Sequence, residues 1–212
     1  GEPLQQIVGW AEFCGLRIRL EPGVFVPRQR TELLVRRAAA LGRRGDVVLD
    51  LCCGSGAVGV AVAAALGRVD LHAADLDPAA VRCAAVNVGE AGGRVHRGDL
   101  YEPLPASLRG RVGLLLANAP YVPTGELRLM PREARLHEEP GTLDGGPDGL
   151  DVQRRVIAGA PGWLAPGGHL LVETSDRQAE ATLGLMRTAG LAASLAASAE
   201  LAATVAIGRR RD

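Results

Sequence analysis

Two short stretches hold the residue types from which a reactive site can be built. Asp50-Leu51-Cys52-Cys53-Gly54-Ser55-Gly56 follows the apolar run Val47-Val48-Leu49, and Asn118-Ala119-Pro120-Tyr121 follows Leu114-Leu115-Leu116-Ala117. Each run has the length of a buried strand and stops abruptly at polar and turn-forming residues. In an open α/β sheet, ligands bind in the crevice beyond the carboxyl ends of the strands. The first stretch reads as a nucleoside-binding strand and turn. The second reads as a strand that delivers Asn118 and Tyr121 to the same rim.

The glycines of the first stretch let the backbone approach a ligand closely, and a helix from about residue 57 presents its free N–H groups there. Gly54, Gly56 and Gly59 fit a three-glycine pattern that is weak when alone. Asp75 strengthens it. It ends the next strand, about 20 residues on, where a carboxylate can accept both hydroxyls of a ribose. Asp99, after the third strand, can reach an adenine amino group. Three acids at successive strand ends suit a cationic nucleoside better than an anionic dinucleotide. The competing reading makes these acids helix caps and turn residues, and for Asp77, before Pro78, capping is favoured.

Composition excludes several chemistries. The 24 basic residues are all arginine, so there is no P-loop lysine, Schiff-base lysine or kinase-type lysine. They balance 24 acids, which argues against a nucleic-acid coat. His72, His96, His137 and His169 are scattered, and adjacent Cys52-Cys53 lacks metal-ligand spacing, so no metal is expected. Cys14, Cys52, Cys53 and Cys83 do not resemble a disulfide framework. They point to a reducing cytoplasm, and no apolar run reaches the ~18 residues of a membrane span.

The elements that must position these residues follow in order. Leu16, Ile18 and Leu20 alternate with Arg17 and Arg19, and Pro22-Gly23 fits a tight turn, so a β-hairpin is expected over about 11–27. Thr31 is placed to cap a helix over 31–42. Strand 46–51, helix 57–66, strand 69–74 ending at Asp75, helix 77–90 and a short strand at 94–96 come next. Strand 112–117 precedes a long connection, 119–147, with one possible helical turn near 131–136. A helix opens at Asp148 or Asp151 and runs to about 164. Pro166-Gly167-Gly168 reads as a turn before strand 169–173. Helix 177–189 and a closing pair of strands, 191–196 and 202–207, complete the chain. The order predicts an α/β fold: a doubly wound, Rossmann-like sheet, mostly parallel with an antiparallel final strand, behind an N-terminal β-hairpin. Residues 1–30 form a hairpin linker or lid, and 31–212 the ligand-binding domain.

Val-Leu-Asp-Leu-x-x-Gly-x-Gly, Ala-Asp-Leu-Asp-Pro and Asn-x-Pro-Tyr together resemble the class I S-adenosylmethionine methyltransferases. More narrowly, the chain resembles the protein-(glutamine-N5) methyltransferases that modify release factors. Gly1-Glu2-Pro3 with Gly9 and Glu12-Phe13, Val26-Pro27-Arg28 with Thr31-Glu32-Leu33-Leu34, the glycine turn after Asp50, the tetrapeptide with Val122-Pro123, and Glu139-Pro140 with Leu143–Asp151 carry that likeness in the family's order.

The resemblance implies S-adenosylmethionine as cofactor, contacted by Arg28, Asp50, Cys52, Gly54, Gly56, Asp75, Leu76, Asp99, Leu100 and Asn118. It implies an acceptor site at Asn118, Ala119, Pro120 and Tyr121. There the Asn118 side-chain oxygen and the Ala119 carbonyl each accept one N–H of an amide, and Tyr121 packs on it. The implied partner is a release factor, with no stable nucleic-acid or membrane binding. Cys52 stands where the family usually has glycine, and Ala119 where it has proline. Arg30 adds a positive charge in Pro27-Arg28-Gln29-Arg30-Thr31-Glu32. The family's helical N-terminal domain is absent from this chain. A base amino-methylase, a small-molecule N-methyltransferase and a non-catalytic donor-binding module remain the alternatives.

Overall fold

The computed structural model describes residues 3–130 and 140–212. Seven strands form the main sheet: β3 (Val47–Leu51), β4 (Asp70–Asp75), β5 (Arg94–Arg97), β6 (Val112–Ala117), β7 (Leu164–Thr174), β8 (Ala192–Ser198) and β9 (Ala203–Arg209). Their spatial order is β5-β4-β3-β6-β7-β9-β8. β5 to β7 run parallel, and β9 lies antiparallel between β7 and β8. From β3 the chain winds outward through β4 and β5, then returns to β6 on β3's other side. The connections leaving β3 and β6 therefore diverge, and a crevice opens at this switch point. Asp50 pairs with Leu116 and Leu51 with Ala117, so the two reactive stretches leave the sheet side by side.

The two-residue period of the strands sorts the core into two layers. Val48, Leu71, Leu114, Leu116 and Leu171 pack beneath α2 (Glu32–Leu41), α3 (Ala57–Leu66) and α4 (Pro78–Glu90). Leu49, Leu115, Leu170 and Val172 pack on the other face against α5 (Asp151–Gly159) and α6 (Ala179–Thr188). β3 is buried along its whole length, which is why it reads as a continuous apolar run. A short α1 (Leu4–Val8) precedes a separate two-stranded sheet, β1 (Trp10–Phe13) and β2 (Leu16–Arg19).

The N-terminal hairpin turns earlier than its sequence suggests. Cys14 and Gly15 make the turn with φ of 51° and 76°, a left-handed pair that matches strand twist. Pro22-Gly23 does turn the chain, with Val24 N–H bonded to the Glu21 carbonyl, but it leads to irregular backbone rather than to a strand.

Three other readings change. Thr31 sits in helical conformation after a 3-10 turn and makes no capping bond. α5 ends at Gly159, and a 3-10 turn carries the chain to β7. Pro166-Gly167-Gly168 lies inside β7 as a bulge, because the pairing with β6 jumps from Leu164 to His169. Asp77 caps α4 as expected, accepting from Ala79 and Ala80 N–H. The helical turn expected near 131–136 falls outside the described residues, as do His137 and Glu139. Among the described residues no helix is long and apolar enough to cross a membrane.

Candidate active site

The crevice at the β3/β6 switch point holds a cavity of about 430 Å³. All the sequence-selected residues except Gly56 line it, from Asp75, Leu76, Asp99 and Leu100 at one end to Asn118, Ala119, Pro120 and Tyr121 at the other.

The end at Asp75 is built on backbone amides held by buried carboxylates. Asp75 Oδ2 accepts from Gly54 N–H at 2.8 Å, and Oδ1 from Asp77 N–H at 3.0 Å. One carboxylate thus fixes both the glycine turn and the start of α4. Burial holds its carboxyl above the usual range, against the pull of those amides. Asp50 is sealed off at 1% exposure, and its Oδ2 accepts from Gly59 N–H in the first turn of α3 at 2.9 Å. Its main work is therefore to seat α3 behind the turn. Burial pushes it up to about 7.

Gly56 lies behind the cavity wall at φ 78°, and a Cβ there would meet Val88 Cγ2 at 2.7 Å. Gly54 has φ 55°. Cys52 adopts φ 54°, a conformation suited to glycine, and burial followed by the charge of Asp75 raises its thiol pKa. Asp99 is paired with Arg155 at 2.7 Å, a partner the sequence did not suggest. Arg28 stacks over Phe25, with its guanidinium 5.0 Å from the ring centre. Asn87 ties the hairpin to the turn: its Oδ1 accepts from Arg19 N–H, while Nδ2 donates to the carbonyls of Arg19 and Ser55.

The opposite end carries a polar network. Asn118 Nδ2 donates to Thr31 Oγ1 at 3.4 Å, and Asn118 Oδ1 keeps its acceptor capacity toward the cavity. Tyr121 O–H donates to Glu173 Oε1 at 3.1 Å, and Arg30 Nε donates to the same oxygen at 3.2 Å. Burial, with Glu173 next, raises the Tyr121 phenol, so it stays a donor. Gln178 Nε2 donates to the Tyr121 and Asp148 carbonyls and anchors the loop after the tetrapeptide. Ser175 holds Gln178 in turn, through Oγ on Oε1 at 2.6 Å. Glu173 and Gln178 lie 143 and 57 positions from the partners they hold, Arg30 and Tyr121, and no local spacing announces those contacts.

The cavity suits a cationic nucleoside. A glycine turn that a Cβ would disturb, the Asp75 carboxylate and the apolar side chains of Leu76 and Leu100 converge on one end. The methyltransferase small domain family profile matches residues 15–137. A solved protein-(glutamine-N5) methyltransferase from Alicyclobacillus acidocaldarius superposes with a TM-score of 0.53 at 23% identity, over 88% of this chain and 95% of that one. Fold and site define a class I S-adenosylmethionine-dependent methyltransferase domain.

Within that class, a release factor glutamine methyltransferase of Bordetella pertussis is 41% identical over 195 residues, covering 90% of this chain and 71% of the relative. The Geobacter sulfurreducens enzyme of that name is 40% identical, covering 89% and 66%. The chain belongs to the release factor glutamine methyltransferase family. It spans about two thirds of the length of these relatives. A 4-amino-L-phenylalanine/4-methylamino-L-phenylalanine methyltransferase of Streptomyces pristinaespiralis is 39% identical, covering 89% and 66%.

Proposed function

We propose that the protein methylates the side-chain amide nitrogen of a glutamine in a peptide chain release factor. The observation that carries this reading is Asn118: its N–H is taken by Thr31, and its oxygen remains for an acceptor in the same cavity as the Asp75-braced turn.

An amide nitrogen is a weak nucleophile because its lone pair is delocalised. When bound, S-adenosylmethionine supplies an electrophilic methyl group on a sulfonium. The chain supplies alignment and charge stabilisation. Asp75 would hold the ribose hydroxyls, and Leu76, Leu100 and Asp99 would hold the base. Asn118 Oδ1 accepts one N–H of the acceptor and the Ala119 carbonyl the other, favouring positive charge as it develops on nitrogen. Tyr121 packs on the acceptor's planar group. Holding the nitrogen about 3–3.5 Å from the methyl, in line with the leaving sulfur, is worth several kcal/mol of barrier. Ala119 keeps the carbonyl of the family's proline while Pro120 restrains it to an extended conformation. A release-factor acceptor places the activity in the cytoplasm, and residues 1–30 act as a lid tied to the donor turn through Asn87.

A second reading, a small amino-acid acceptor with an aromatic amine, is favoured by the Streptomyces pristinaespiralis relative and by the change at Ala119. Labelled-methyl transfer to purified release factors and to 4-amino-L-phenylalanine separates the two. Label on a release-factor glutamine supports the first. Label on the amino acid alone overturns it.

A further inference from the structure

We infer that Arg30 recognises a carboxylate carried by the methyl acceptor, close to the nitrogen that Asn118 and Tyr121 hold. The inference rests on the reading that this end of the cavity is the acceptor site.

Arg30 lines that end, next in sequence to Thr31, which holds Asn118. Its guanidinium lies 5.7 Å from the centre of the Tyr121 ring. Glu173, 2% exposed, pins it through Nε at 3.2 Å and pins Tyr121 O–H through the same oxygen. Among the described residues Arg30 has polar contacts with Glu173 and Tyr121, and its side chain is 44% exposed. The guanidinium is thus fixed through Nε by a buried carboxylate on a side chain that lines the cavity. A guanidinium fork matches the two oxygens of a carboxylate bidentately. Fixing the fork beforehand reduces the ordering cost of binding. The Tyr121 face beside it suits a planar amide or an aromatic ring. An acidic side chain flanking the glutamine of a protein, or the carboxylate of a free amino acid, offers the same chemistry. The Streptomyces pristinaespiralis relative names an acceptor of the second kind.

The test uses protein saturated with S-adenosylhomocysteine and two probe pairs: 4-amino-L-phenylalanine against its carboxamide, and a glutamine peptide with a neighbouring Asp against the same peptide with Asn. Calorimetry should show the acid of at least one pair binding tenfold or more tighter than its neutral partner. The pair that discriminates identifies the source. Arg30→Gln should abolish the difference, Arg30→Lys should keep part of it, and donor affinity should hold in both. Equal binding of acid and neutral probes, no binding by any probe, or a preference that survives Arg30→Gln overturns the inference. A wild-type enzyme that methylates glutamine peptides while neither probe pair shows a preference for its acid would overturn it and leave the Asn118 reading intact. Undiminished transfer by Asn118→Ala would remove the Asn118 reading whatever the Arg30 result.

Discussion

Asn118 and Thr31, 87 positions apart, share a hydrogen bond that spans the cavity wall from the end of β6 to the start of α2. Thr31 is 1% exposed, so water does not compete for its hydroxyl. The bond fixes which face of the Asn118 amide turns inward. Thr31 is thereby a positioning residue. A neutral hydrogen bond contributes about 0.5–1.5 kcal/mol. Thr31→Val, which keeps the shape, should lower kcat roughly three- to tenfold. Donor affinity should not change, and Thr31→Ser should restore most of the rate. Equal loss in both variants would make Thr31 a packing residue only.

Asp75 binds two backbone amides at once. In Asp75→Asn one of those N–H groups must face an amide NH2 rather than an oxygen. Hydrogen bonds to a charged group contribute about 1.5–3 kcal/mol each. S-adenosylmethionine should bind about ten- to a hundredfold more weakly by calorimetry. Unchanged affinity would show that the turn holds itself.

Asp50 titrates against burial. Its folded pKa is about 7 and its reference value 3.8. Folding therefore favours the protonated form. The stability this contributes is fully present below about pH 4 and is lost as pH rises toward 7. Asp50→Asn cannot ionise, and its side-chain oxygen can still accept from Gly59 N–H. Urea midpoints of the two proteins should converge near pH 4. By pH 8 the variant should be the more stable, by up to about 4 kcal/mol. Parallel curves over this range would contradict a buried, titrating Asp50.

Cys52 carries a Cβ in left-handed backbone. That conformation costs an L-residue about 1–2 kcal/mol, whereas glycine loses about 0.5–1 kcal/mol of unfolded-state entropy. Cys52→Gly should be neutral or stabilising by up to about 1 kcal/mol, and Cys52→Val clearly destabilising. Urea denaturation checks both. A large loss in Cys52→Gly would mean that the side chain contributes packing its backbone strain conceals.

The sheet and its rim were legible because long apolar runs bounded by Asp, Gly, Asn and Pro leave few alternatives. β6 and α3 match residue for residue, and Asp77-Pro78 marks the start of α4. The hairpin turn was misplaced because Cys14, a residue without turn preference, takes the left-handed position. Thr31 reads equally as a cap or as a residue of the site, because a local cap and a long-range partner call for the same residue type, and the structure shows the bond to Asn118. The donor turn and tetrapeptide were visible as motifs, but their supports were not. Asn87, Glu173 and Gln178 reach the turn, Arg30 and the loop after the tetrapeptide across 30 to 143 positions, distances that only the fold closes.

The most direct test of the central claim is methyl transfer by Asn118→Ala alongside its affinity for S-adenosylmethionine. With a purified release factor as acceptor, the wild-type protein should label a glutamine side chain. Asn118→Ala should lower kcat by about a hundredfold or more, as when one transition-state hydrogen bond is removed, and bind the donor within about twofold of wild type. An Asn118→Ala protein that methylates at the wild-type rate would contradict the account.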